Sequence, residues 1–178
     1  MYYEKGIDDV KVKLFCDNCF RIYEKRIGDL TDEKLITSSH YLDCTYTCEC
    51  GNKAYSIDNR MIDFVVRLNR INFYTKYCCE GHWDADTSSY SCPYILFTYN
   101  DENDCSHTIS LKDHEYLYDF LKKNLNPILR VSLFNDKAII ISSERIIPNM
   151  NEFELFKEEC LTEFNRIIDL LEIDRLKL

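Results

Sequence analysis

Ten cysteines in 178 residues are the densest chemical signal in the chain. Four of them form two short turns, Cys16-x-x-Cys19 and Cys48-x-Cys50-Gly51. Thiolates at that spacing, each pair on a hairpin tip, can converge on one tetrahedral ion, and zinc favours four sulfur ligands. The cation offsets the mutual repulsion of the thiolates, so metal binding contributes directly to folding. Gly51 suits the tight turn after the last ligand because it tolerates positive φ. The second turn has one residue between its cysteines where the first has two. Cys44, four residues before Cys48, is therefore an alternative ligand, and His40 a weaker one. The expected cofactor is Zn²⁺ held by Cys16, Cys19, Cys48 and Cys50. The N-terminal residues lack a secretory apolar region, so disulfides are not expected and the expected location is cytoplasmic.

A second concentration of reactive types is Cys78-Cys79-Glu80-Gly81-His82, where a strand gives way to a loop. Strand alternation puts Cys78 and Cys79 on opposite faces. Gly81 permits a sharp turn that presents Glu80 and His82 at the strand tip. Three readings follow from these residues. Cys79 and His82 could join Cys92, Cys105 or His107 around a second metal. A cysteine activated by His82 or His107 could act as a nucleophile. The segment could also serve a partner or ligand without catalysis, and this reading is adopted for Cys79, Glu80 and His82 with Trp83, Asp84 and Asp86. Trp83 is either an exposed interface anchor or a ring folded back over the sheet. Asp84, Asp86, Asp101, Glu102 and Asp104 read as a solvated acidic rim. The sequence holds no Gly-x-Gly-x-x-Gly loop, Walker motif, nucleophile elbow or His-Glu-x-x-His motif, so no catalytic residue is assigned.

The elements that must position these residues divide at residue 56. Residues 1–56 read as a β-rich metal-binding module, with strands expected over 12–15, 20–25, 41–47 and 53–57. Residues 57–178 read as an α+β domain in the order α-β-β-α-β-β-α. Ile57, Met61, Phe64, Val65 and Leu68 lie at helical spacing, with Asp58 as candidate N-cap. Strands are expected over 73–79 and 94–99, joined by a polar loop. Ser110 and Asp113 open a helix carrying Leu117, Phe120, Leu121 and Leu125. Strands over 128–134 and 137–142 flank the turn signal Asn135-Asp136. Asn149 and Glu152 then cap a long helix whose apolar stripe is Phe153, Phe156, Cys160, Phe164, Ile167 and Leu171. The expected fold is a metal-binding module followed by an antiparallel sheet covered by helices.

The Cys16–Cys50 pattern resembles a zinc ribbon. Together with Leu68-Asn69, Phe73-Tyr74-Thr75, Cys79-Glu80-Gly81-His82 and Tyr94-Ile95-Leu96-Phe97, it is similar to zinc-ribbon proteins of low-GC bacteria, their phages and mobile elements. That resemblance covers roughly residues 15–100 and implies no activity. A fainter one, carried by Thr75 and Cys79-x-Gly81, is to the wybutosine-synthesis methyltransferases. Both serines of that motif are absent and His82 stands where it has arginine.

Composition and charge point to partners. Ile (18), Asn (13), Lys (13) and Tyr (13) far outnumber Ala (3), Gly (4) and Pro (3), which implies an AT-rich genome. The net charge is -9, and residues 61–110 hold 3 basic against 7 acidic side chains. General nucleic-acid binding by phosphate neutralisation is therefore not expected, while an acidic surface suits a host protein with a basic one. No apolar run is long enough for a membrane span. The expected function is that of a zinc-stabilised interaction protein from a phage or mobile element. Its concrete form is stoichiometric, anti-CRISPR-like inhibition of a host nucleic-acid-targeting defence complex. The alternative is an RNA- or nucleotide-directed enzyme or ligand binder using the Cys-Cys-Glu-Gly-His segment.

Overall fold

A computed structural model of the chain describes residues 11–16, 18–30, 34–38, 41–99, 108–134 and 137–177. His40, Asp101, Glu102, Asp104, Cys105, His107 and the turn residues Asn135 and Asp136 lie outside them. The chain divides into two compact units, one ending at Ile62 and one beginning at Asp63.

The first unit is a five-stranded sheet of β1 (Lys11–Phe15), β2 (Ile22–Arg26), β3 (Lys34–Ser38), β4 (Tyr41–Thr47) and β5 (Lys53–Ser56), in the order β2-β1-β5-β4-β3. All its pairings are antiparallel. Because β5 runs opposite to both β1 and β4, those two strands share a direction and end on the same side of the sheet. One face turns Leu14, Cys16, Cys44, Cys48 and Ala54 into a small core completed by Ile27 and Leu30. The strand β3 carries no clear alternation, and its register with β4 shifts between Ile36 and Ser38.

The second unit opens after a short 3-10 turn, Asn59–Met61, with α1 (Ile62–Arg70). Asp58 precedes that turn but makes no side-chain capping bond, so the expected cap is only positional. Four strands of the main sheet run β10 (Thr108–Ile109), β9 (Tyr94–Tyr99), β12 (Ala138–Ser142) and β11 (Arg130–Phe134), and β6 (Tyr77–Cys79) also pairs with β9. The expected strand over 73–79 is thus confined to its last three residues. The expected polar loop holds a hairpin, β7 (His82–Asp84) with β8 (Ser89–Ser91). The sheet is antiparallel except that β10 runs parallel to β9. A two-residue strand has no periodic signature, which is why sequence patterning passes over it.

Two longer helices complete this unit, α2 (Leu111–Asn124) and α3 (Met150–Arg175). Ser110 Oγ accepts the Asp113 amide at 3.1 Å, and Asn149 Oδ1 accepts that of Glu152 at 3.0 Å, so both expected caps form. The whole apolar stripe of α3 is buried, with Ile95, Phe97, Ile139 and Ile141 from the sheet, Leu117 and Leu121 from α2, and Phe64 and Leu68 from α1. Arg67 ties α1 to α3: its guanidinium reaches Glu172 at 2.6 Å, Asn165 at 2.8 Å and Asp169. Among the described residues, no helix is long and apolar enough to cross a membrane.

Candidate metal centre

The shared direction of β1 and β4 brings two turns to one end of the first sheet. At the first, the Cys16 amide donates to the Arg21 carbonyl at 2.9 Å and the Phe20 amide to the Cys16 carbonyl at 2.8 Å. At the second, the Cys48 amide donates to the Asn52 carbonyl at 2.8 Å and the Gly51 amide to the Cys48 carbonyl at 2.9 Å. In each turn the residue after the second cysteine has positive φ, 60° at Phe20 and 86° at Gly51. The two turns are therefore one design, the second shorter by a residue. The missing spacer residue of Cys48-x-Cys50 does not prevent convergence.

The four thiol sulfurs lie within 4.8 Å of one another and could hold a metal ion. Cys16 and Cys50 are 3.6 Å apart, Cys19 and Cys48 3.3 Å, and Cys48 and Cys50 3.3 Å. Backbone N–H groups point at every sulfur: Asn18 and Cys19 at Cys16, Arg21 at Cys19, Cys50 at Cys48, and Asn52 at Cys50. Such donors favour the thiolate form. Tyr23 adds its hydroxyl 3.0 Å from Cys48 Sγ, and the amides of Asn18 and Asn52 reach Cys50 Sγ at 3.7 and 3.6 Å. An Arg21–Glu49 ion pair links the two turns.

Burial grades the cluster. Cys16 and Cys48 lie in the core, Cys19 is half-buried and Cys50 exposed. Burial pushes the Cys16 thiol up to about 12, against the amides of Cys19 and Asn18. The Asn52 amide, with its side chain and Cys48, brings Cys50 down to about 6. The donor set thus fits a cation that replaces the protons. Cys44 is buried among apolar neighbours, with its amide donating to Ser56 Oγ at 3.3 Å, and it is not one of the four clustered sulfurs. The tyrosine partner escaped sequence reasoning because it depends on strand register, and the asparagines because their contacts depend on how the two turns close. The only hint was polar residues flanking each Cys pair.

The Cys78–Asp86 segment is more closed than its sequence suggests. Cys79 is fully buried, and its sulfur accepts the Gly81 amide at 3.2 Å and lies 4.0 Å from Ser91 Oγ. Gly81 has φ of 88°. Glu80 and His82 are half-buried, and His82 pairs with Ser91 across the hairpin, its amide donating to Ser91 Oγ. Trp83 is folded in: its ring stacks on Tyr90 with centroids 5.8 Å apart and lies 5.9 Å from Phe153. Tyr90 is fixed in turn, donating to the Arg145 carbonyl and accepting the Ile147 amide. Asp84 closes the hairpin turn by accepting from the Asp86 amide at 2.9 Å and from Thr87 Oγ1. Asp86 is exposed.

Fold and site together define a mixed α+β protein with a tetracysteine cluster able to hold a metal ion. Comparison with known proteins gives no matching family model, curated protein or solved structure.

Proposed function

We propose that the cluster holds one Zn²⁺ as a structural centre and that the chain is a zinc-stabilised interaction protein. The observation that carries this reading is the convergence of four sulfurs within 4.8 Å. A tetrahedron with Zn–S bonds near 2.3 Å has edges of about 3.8 Å, close to the separations found. Four protein thiolates leave no open position for water or substrate, which supports a structural role over a catalytic one. Soft thiolates suit zinc and disfavour magnesium and calcium, which supports this choice of metal. Burial of Cys79 and the hydrogen bonds around it support a non-catalytic role for that segment.

The net charge of -9 supports a partner with a basic surface. A host complex that binds nucleic acid for defence offers such a surface, and stoichiometric occlusion of it by a phage or mobile-element protein is the concrete form proposed. Native mass spectrometry should give one zinc per chain. Pull-down from host extract should recover a partner whose retention falls as salt rises. A metal-free protein with unchanged fold would overturn the zinc reading, and salt-independent or absent capture would overturn the partner reading.

A further inference from the structure

The four sulfurs of the cluster differ in access. Cys16 and Cys48 are buried and Cys19 is half-buried. Cys50 is the one exposed cysteine among the described residues. Its turn is open as a whole, with Glu49, Gly51, Asn52 and Lys53 exposed around it. A Cβ built on Gly51 would meet nothing within 4 Å, so that side of the turn faces open space. Burial keeps a thiol out of reach of solutes, and exposure brings it within reach. A small molecule that arrives from solvent therefore meets Cys50 before the other three.

The same sulfurs form two pairs across the turns. Cys50 lies 3.6 Å from Cys16, and Cys48 lies 3.3 Å from Cys19. A disulfide needs a separation of about 2.05 Å, so the Cys16–Cys50 pair closes through a small movement of two side chains. Cys50 is also 3.3 Å from Cys48, but a single residue separates them in the chain. A bridge there would strain the turn that holds both, whereas Cys16–Cys50 would join the end of β1 to the turn between β4 and β5. The most accessible sulfur thus has a second thiol beside it on the opposite turn.

We infer that Cys50 is an oxidation site through which a hydroperoxide releases the metal. The inference rests on the zinc reading and adds a means of regulating that centre. The Cys50 thiolate attacks one peroxide oxygen, the O–O bond breaks, hydroxide leaves, and the sulfur becomes a sulfenic acid. The Cys16 thiolate then attacks that sulfur, the S–O bond breaks, a second hydroxide leaves, and the disulfide forms. Two thiolates lose two electrons, the peroxide gains them, and both hydroxides take protons from solvent to become water. Cys19 and Cys48 are then the only anionic ligands of the four, and a structural zinc needs all four, so the ion leaves. A dithiol reductant regenerates the thiolates and with them the site.

The test uses the full-length, zinc-loaded chain and hydrogen peroxide at about one equivalent. Native mass spectrometry counts zinc before and after, and bound zinc should fall from one per chain toward none. With dimedone present to trap sulfenic acid, Cys50 should be labelled before the half-buried Cys19, Cys78 and Cys92. Without dimedone, peptide mapping should find Cys16 joined to Cys50. A dithiol with added zinc should restore the bound ion. Cys50→His keeps a fourth ligand without a thiol, and it should retain zinc through the same dose of peroxide. If that variant loads no metal, the order of labelling in the native chain decides alone. A native chain that binds no zinc overturns the metal reading and this inference together. Zinc retained after peroxide, first labelling at Cys19, Cys78 or Cys92, a bridge that leaves out Cys50, or zinc loss that a dithiol does not reverse overturns this inference alone.

Discussion

Two glycines separate backbone strain from steric strain. Gly51 and Gly81 have nearly the same φ, 86° and 88°. A Cβ on Gly51 would meet nothing within 4 Å, whereas one on Gly81 would sit 2.8 Å from Pro93 Cδ. Gly51→Ala should therefore cost about 1 kcal/mol, the left-handed penalty alone. Gly81→Ala should cost about 2 kcal/mol or more, because the ring or the strand must also move. Urea unfolding of each variant reads the difference, and equal costs would show that Pro93 yields freely. The cysteines separate in a similar way. Cys16→Ser should reduce bound zinc well below one per chain, while Cys44→Ser should leave it at one, as native mass spectrometry can count. At this scale the four clustered cysteines were legible, since their spacing singles out the two turns. The choice against Cys44 was not, because Cys44 and Cys48 share the core face, and only the pairing of β4 with its neighbours shows which of them lies where the two turns meet.

At the scale of elements, caps and ion pairs carry the testable energetics. Ser110→Ala and Asn149→Ala should each cost about 1 kcal/mol, since each leaves a helix-terminal amide without its acceptor. Glu163 on α3 gives a pH dependence. Its carboxylate is buried, which alone would raise its pKa, but the Arg166 guanidinium and the amides of Asn126 outweigh burial and hold it low. A depressed pKa means stability that is present above the ordinary glutamate value of about 4.3 and is lost as pH falls through the folded value. The melting temperature of the native chain should thus exceed that of Glu163→Gln above about pH 5, and the gap should close in acid. A gap that persists in acid would mean that Glu163 acts by shape and not by charge. Helices and long strands were legible because caps and apolar periods agree along them, as the α3 stripe shows. The hairpin of β7 and β8 was not, because it is held by Asp84, Ser91 and the Trp83–Tyr90 stack, contacts that leave no period in the sequence.

At the scale of the whole molecule, the two units are stabilised by different means, and that difference can be measured. Among the described residues the first has a core cluster of few residues, and three of them, Cys16, Cys44 and Cys48, are cysteines. A small apolar cluster offsets little chain entropy, and two of the clustered thiols inside it would tie the core to a bound metal. The second unit buries six phenylalanines and the full stripe of α3 without any of the four clustered thiols. Chelation should therefore unfold the first unit and spare the second. The single tryptophan, Trp83, lies in the second unit against Phe153 and reports on it alone. A strong zinc chelator should abolish amide protection in β1, β2, β4 and β5 while α3 keeps its protection, and Trp83 emission should not shift. Hydrogen exchange by mass spectrometry resolves both sets of amides in one experiment. Loss of protection in α3 together with β1 would show one cooperative structure that depends on zinc throughout. Full protection of β1 after chelation would show that the cluster adds nothing to folding, and the case for a structural metal would fall with it.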